Sequence, residues 1–219
     1  MRSPWIDIPL ADYEEHMALP GVGQAGMLAQ EFDGALKEHC PRTVAVVGCA
    51  GGNGFDRIPA DTRRVVGIDI NPAYLEETAA RFAGRLPGLE LHALDIQAPG
   101  LHLEPVELIY AALLFEYVDL APAFANLGRL CQPGGFLVTV LQAPSASLAS
   151  VSPSPYATLQ ALGPVMRLVP PAQLERAAAL AGFVAMSRRH LALPSGKTFA
   201  VQRFRRATAS EARQGPSAG

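Results

Sequence analysis

The residues with the most chemical content lie at the ends of three successive apolar runs. The first run leads into Gly48-Cys49-Ala50-Gly51-Gly52-Asn53-Gly54. Glycines at this density permit positive φ and let backbone approach a ligand without a Cβ clash. The second run ends on Asp69-Ile70, and the third on Asp95-Ile96. A carboxylate at the first of these positions can accept hydrogen bonds from both hydroxyls of a ribose. One at the second can take the exocyclic amine of adenine, with Ile96 against the ring. Alone, each acid reads as a helix cap and the glycines as a flexible loop. As an ordered series after three strands, they predict a nucleoside site.

The elements around them are expected to position such a site. Residues 11–39 read as helical, with a break at Pro20-Gly21-Val22-Gly23 and a stop at Pro41. Thr43–Val47 is a short β-branched run, read as a buried strand. Residues 64–70, 89–96, 107–113 and 136–141 read as further strands. Pro72 suits the first turn of a helix capped by Asn71, and residues 121–131 read as another helix closed by Gln132-Pro-Gly-Gly135. Strands separated by helix-length segments imply parallel pairing through right-handed crossovers. Their continuous apolar character agrees, because strands covered on both faces need no polar alternation. Residues 143–170 are rich in Pro, Ser and Ala and are read as an insertion with a short helix around 156–162. A helix follows over 171–181. Residues 183–193 and 197–205 are expected to form an antiparallel hairpin about Pro194-Ser-Gly196. The tail, residues 207–219, is small and polar and is expected to be disordered.

The glycine loop departs from two common phosphate-binding patterns. Ala50 breaks the GxGxxG spacing of nicotinamide-binding loops, and no Walker lysine follows. At this point the chain resembles the class I S-adenosylmethionine-dependent methyltransferases. The glycine loop, Asp69, Asp95-Ile96, the segment 107–118 and Pro133-Gly134-Gly135 are similar, in order, to that superfamily's motifs. Two positions depart from it: Val46 stands where an acid is frequent, and Ala50 where Gly is usual. The head Ile8-Pro-Leu-Ala-Asp-Tyr-Glu-Glu-His-Met17 and Ser154-Pro-Tyr156 are also similar to one bacterial branch, which implies no particular acceptor.

The resemblance implies an α/β fold, a Rossmann-like three-layer sandwich. Its mostly parallel seven-stranded sheet would carry an antiparallel last strand. It implies one domain over residues 1–206, with residues 1–40 as a helical cap and 143–170 lining the substrate side. It implies S-adenosylmethionine as cofactor and S-adenosylhomocysteine as product. The cofactor would be held by Gly48, Cys49, Ala50, Gly51, Gly52, Asn53, Gly54, Asp69, Ile70, Asp95, Ile96, Ala112 and Leu113.

Methyl transfer asks the protein mainly to align nucleophile, methyl and sulfur and to exclude water. A general base is needed only for a nucleophile whose proton has a high pKa. The candidates for catalysis are Tyr13, His16, Glu116 and Tyr117. Tyr13 and His16 share one face of the first helix by i, i+3 spacing. Substrate contacts are expected from Tyr13, His16, Tyr117 and Tyr156. Asn71-Pro-Ala-Tyr74 is similar to a signature of amino-group methyltransferases, but it follows the second strand rather than the fourth. It is therefore read as a helix cap, and DNA adenine methylation is disfavoured.

Composition narrows the partners. The chain has 219 residues, 49% apolar and 17% charged, with a net charge of −2, so it reads as one globular domain without a broad basic surface. Its only basic cluster is Arg188, Arg189, Arg203, Arg205 and Arg206. A small-molecule acceptor is expected; RNA, protein, or binding without methyl transfer are the alternatives. The three cysteines form no CxxC pair and the five histidines no zinc spacing, so a reducing, cytoplasmic setting and no metal are expected. No leader and no membrane span are expected, and the chain is expected to act as a monomer or homodimer.

Overall fold

The computed structural model describes residues 3–145 and 148–214. A 3-10 turn, Pro4–Ile6, precedes α1 (Leu10–Ala18) and α2 (Gln24–His39). Then come β1 (Thr43–Val47), β2 (Arg64–Asp69), α3 (Pro72–Phe82), β3 (Leu89–Ala93), β4 (Val106–Ala112) and α4 (Leu120–Leu130). After these follow β5 (Cys131–Gln142), α5 (Pro171–Leu180), β6 (Phe183–Ala192), β7 (Thr198–Arg206) and α6 (Ala209–Gln214).

All seven strands join one sheet in the order β3-β2-β1-β4-β5-β7-β6. Only β7 runs antiparallel, against both β5 and β6. The order reverses between β1 and β4, so the two crossovers leave a crevice beyond the carboxyl ends of those strands.

Side-chain alternation divides the core. On β1, Ala45 and Val47 face one layer and Val44 and Val46 the other. The first layer packs on α4 and α5 through Phe124, Leu127 and Leu174. The second packs on α2 and α3 through Phe32, Leu36 and Leu75. Phe124 is almost fully buried and stacks on Phe115 at 5.1 Å, with Phe183 edge-on at 6.2 Å. Among the described residues, no helix is long and apolar enough to cross a membrane.

Several boundaries differ from the sequence reading. β3 stops at Ala93, three residues before Ile96, because the chain turns at Asp95, whose carbonyl accepts from Ala98 N–H. This frees Asp95 and Ile96 to stand in a loop. β5 starts at Cys131 rather than 136: Cys131 pairs with Val106 before a register shift around Val106 and Leu108, so the Pro133-Gly-Gly turn is absorbed into a bulged strand start. The short helix of the insertion is a 3-10 turn over Ala157–Leu162. The tail expected to be disordered continues as α6, where Glu211 pairs with Arg205 and accepts from Thr208 N–H; residues 215–219 lie outside the described residues.

Phe124→Ala should cost about 3–5 kcal/mol, because two ring contacts and their burial are lost together. Denaturant unfolding checks this; a change below about 1 kcal/mol would show that the α4 layer repacks freely.

Candidate functional site

The loop after β1 is held by the end of β2. Gly48 takes φ +74°, and the Gly48 and Cys49 amides both donate to the Ile68 carbonyl. Ala50 N–H donates to Asp69 Oδ2 at 2.8 Å, and Asn71 N–H donates to Asp69 Oδ1 at 2.9 Å. One carboxylate thus ties two loops. Burial raises the Asp69 pKa, while the amides of Asn71, Ala50 and Ile70 oppose the rise. Ala50 sits at φ +45°, a left-handed conformation that costs a non-glycine residue about 1–2 kcal/mol. Asp69 on its amide and Thr78 Oγ1 on its carbonyl, at 2.9 Å, hold it there.

A cavity of about 540 Å³ opens at the crevice between β1 and β4. Gly48, Ala50, Asp69, Ile70, Asp95, Ile96, Ala112 and Leu113 all line it, together with Tyr13 and Tyr117. The other loop residues named from sequence turn away. Cys49 is buried, and burial pushes its thiol pKa up. Asn53 Nδ2 donates to the Ala25 carbonyl at 3.1 Å. Gly51, Gly52 and Gly54 shape the turn without lining the cavity; a Cβ on Gly54 would meet Phe32 Cδ1 at 3.1 Å.

Two supports of this cavity were not read from the sequence. Asn126 on α4 donates through Nδ2 to the carbonyls of Ile96, at 2.6 Å, and Ala98, at 2.9 Å, fixing the Asp95 loop from below. The cover is the second. Asn71 Nδ2 donates to the Trp5 carbonyl at 2.9 Å, and Tyr74 OH donates to the Ile8 carbonyl at 2.8 Å. Asn71 also caps α3 through Ala73 N–H, as its sequence context indicated. The Asn71-Pro-Ala-Tyr74 segment therefore does two things: it starts a helix and it pins the N-terminal segment over the cavity. Trp5, the only tryptophan, meets Tyr13 edge-on at 5.4 Å and Tyr117 edge-on at 5.1 Å.

Beyond this aromatic trio lies a smaller chamber of about 50 Å³. Trp5, Tyr13, Tyr117 and Leu113 line both spaces. Leu113 takes φ +52°, a strained conformation for a side chain of its size, at the boundary between them. His16 lines the chamber, not the larger cavity; burial and the Lys197 charge lower its pKa. Glu116 lines neither space and is fully buried. Its Oε1 accepts from Gln142 N–H at 2.7 Å, its Oε2 has no partner among the described residues, and burial pushes its carboxyl up to about 7. Tyr156 also stays outside both spaces: its OH donates to Glu15 Oε2 at 2.6 Å. Burial and neighbouring acids hold the Tyr13 and Tyr117 phenols far above their ordinary pKa, so both stay protonated.

Residues 44–135 match the protein family described as methyltransferase domain. Among curated proteins, none matches the chain in sequence. Solved structures share its fold. A possible exported protein from Bordetella parapertussis is 22% identical, with a TM-score of 0.63 over 87% of this chain and 69% of that one. An S-adenosylmethionine-dependent methyltransferase from Mesorhizobium loti is 18% identical, with a TM-score of 0.61 over 79% of this chain and 96% of that one. The N-methyltransferase NodS from Bradyrhizobium japonicum, in complex with S-adenosylhomocysteine, is 20% identical, with a TM-score of 0.60 over 91% of this chain and 89% of that one.

Glu116 gives the stability of the fold a pH signature. In the unfolded chain its pKa is near 4.5, and in the folded chain about 7. Between those values the folded chain holds a proton that the unfolded chain has released, so stability falls as pH rises and the loss is complete above the folded pKa. The wild-type chain should lose up to about 3 kcal/mol across this window from Glu116. Glu116→Gln, which keeps an oxygen for Gln142 N–H, should remove that component. Unfolding curves of both proteins across the window check it; parallel pH profiles would contradict it.

Proposed function

We propose that this chain, a member of the class I S-adenosylmethionine-dependent methyltransferase superfamily through its domain at residues 44–135, transfers the methyl group to a small-molecule acceptor. The observation that carries this reading is the single cavity at the sheet's switch point, which brings Asp69, Asp95 and the Gly48–Ala50 turn onto one lining.

These residues fit the cofactor by their chemistry. An ionised carboxylate offers about four acceptor positions. Asp69 uses two on the amides of Ala50 and Asn71, which leaves acceptor capacity for two ribose hydroxyls. Asp95 is held by Gln97 through both N–H and Nε2, and stands beside Ile96 as the edge and face of an adenine subsite. A volume of about 540 Å³ lies within the range of cavities that hold compact ligands. When bound, the cofactor supplies a methyl group already activated by a positively charged sulfur.

The chain's own contribution is alignment and exclusion of water. Trp5, Tyr13 and Tyr117 close the cavity on its chamber side and give it an aromatic lining suited to a cation. We assign Tyr13 and Tyr117, as neutral phenols at the boundary of both spaces, to orienting the nucleophile. Residues 3–40 act as the cap, and the insertion contributes Ser150, Val151, Leu159, Leu162 and Met166 to the acceptor side.

A small acceptor is favoured by what the basic cluster does. Arg189 pairs with Glu31, Arg203 with Glu38, Arg205 with Glu211 and Arg188 with Glu175. Arg206 caps the carbonyls of Gly128 and Ala181. Arginines engaged in this way offer little free charge to a polyanion. The three cysteines are free thiols, which supports a reducing, cytoplasmic setting.

Calorimetry with S-adenosylmethionine and S-adenosylhomocysteine tests the reading. Both should bind, and Asp69→Ala should weaken each by about a hundredfold, because a charged acceptor of two hydrogen bonds and the anchor of the loop are lost together. A folded wild-type chain that binds neither would overturn it.

A further inference from the structure

The small chamber has a second neighbour. A groove of about 350 Å³ lies on the outside of the molecule, between the Leu19–Val22 turn and residues 148–153. Ser152 and Lys197 line both the groove and the chamber, as Tyr13 and Tyr117 line both the chamber and the larger cavity. Three spaces therefore stand in series: outer groove, small chamber, large cavity.

Lys197 is the unusual group in this series. It follows the β6–β7 turn, where its carbonyl accepts from Leu193 N–H, and the residue is 6% exposed. Nζ donates to Gln142 Oε1 at 3.2 Å and to the Ser150 carbonyl at 2.7 Å. These are neutral acceptors. Among the described residues, no carboxylate stands within ion-pair distance of this ammonium. A buried ammonium costs several kcal/mol unless an anion compensates it, and two of its three protons are engaged. Around it, His16 Nδ1 and Ser195 Oγ are buried without partners among the described residues, and Gln24 is buried at the chamber wall. The chamber and the groove thus share one positive charge and spare polar groups, with no matching anion among the described residues.

We propose that the acceptor is a small carboxylic acid whose carboxylate is held by Lys197, with its reacting end directed past Tyr13 and Tyr117. The proposal rests on the larger cavity being the cofactor site. A carboxylate suits the charge balance: one ammonium beside a neutral imidazole compensates one negative charge, whereas a phosphate dianion would leave charge buried. The order of the spaces also separates the carboxylate from the methylated atom. Lys197 stands on the groove side of the chamber and the aromatic trio on the cavity side. The carboxylate is a handle, and the nucleophile is another atom of the same molecule. Lys197 acts as a specificity-determining residue.

Trp5 borders the chamber and is the only tryptophan, so its fluorescence reports on it. The experiment titrates the full chain, saturated with S-adenosylhomocysteine, with propionate and separately with propionamide, its neutral counterpart. Propionate should give a saturable change, with an affinity at least about tenfold above that of propionamide. Lys197→Met should remove that preference while binding S-adenosylhomocysteine within about twofold of wild type. Equal binding of the acid and the amide, no saturable change with either, or a preference that survives in Lys197→Met would overturn the proposal. The wild-type comparison of acid with amide decides even where the variant does not fold. Failure to bind S-adenosylhomocysteine at the outset would overturn the cofactor reading instead, and the same titration without it would then show whether Lys197 still selects an anion.

Discussion

The site depends on one carboxylate more than on any other group. Asp69 closes the end of β2 and accepts from Ala50 N–H in the preceding loop and from Asn71 N–H at the start of α3. The first bond keeps Ala50 in a left-handed turn that a residue with a Cβ avoids on its own. The second positions Asn71, whose side chain caps α3 and donates to the Trp5 carbonyl. Trp5 in turn meets the two tyrosines that close the cavity. Glycine turn, helix start and cover are therefore linked through a single side chain.

The sheet supplies the place for that linkage. β1 and β4 are adjacent in space but separated in sequence by two strands, so their following loops diverge and leave a crevice. The strands that form it are buried on both faces, and the positions of their ends follow from packing on α2 and α4. The titratable groups that enter this apolar frame beside the site do so where strands begin or end: Asp69 at the end of β2, Asp95 after β3, Glu116 after β4, Lys197 before β7. Burial then works on them in opposite directions. It raises the carboxyl of Glu116 to about 7 and lowers the ammonium of Lys197 to about 8. Gln142 stands between them, donating to one from its backbone and accepting from the other with its side chain.

Much of this was legible in the sequence because it rests on local rules. Continuous apolar runs gave the buried strands, Asn71-Pro72 gave the α3 start, and the ordered acids after β2 and β3 gave the residues that now line one cavity. What was not legible rests on long-range contacts. Nothing near Asn126 says that it will support a loop 30 residues earlier. Nothing near Lys197 says that a hairpin will carry it beneath the insertion. Glu116 was a reasonable candidate by position, yet its side chain turns into the core toward Gln142 N–H instead of lining either space. Tyr156 finds Glu15 on the surface of α1 in place of the chamber. The Asn71-Pro-Ala-Tyr74 segment was read as a cap alone, because its second partner, the N-terminal segment, lies 66 residues away.

The most direct measurement is a crystal structure of the full chain with S-adenosylhomocysteine bound. The account predicts the ribose hydroxyls on the Asp69 carboxylate, the adenine amine at Asp95 with its ring against Ile96, and the sulfur facing Tyr13 and Tyr117. A complex with the ligand outside the crevice between β1 and β4, or with its ribose away from Asp69, would contradict it.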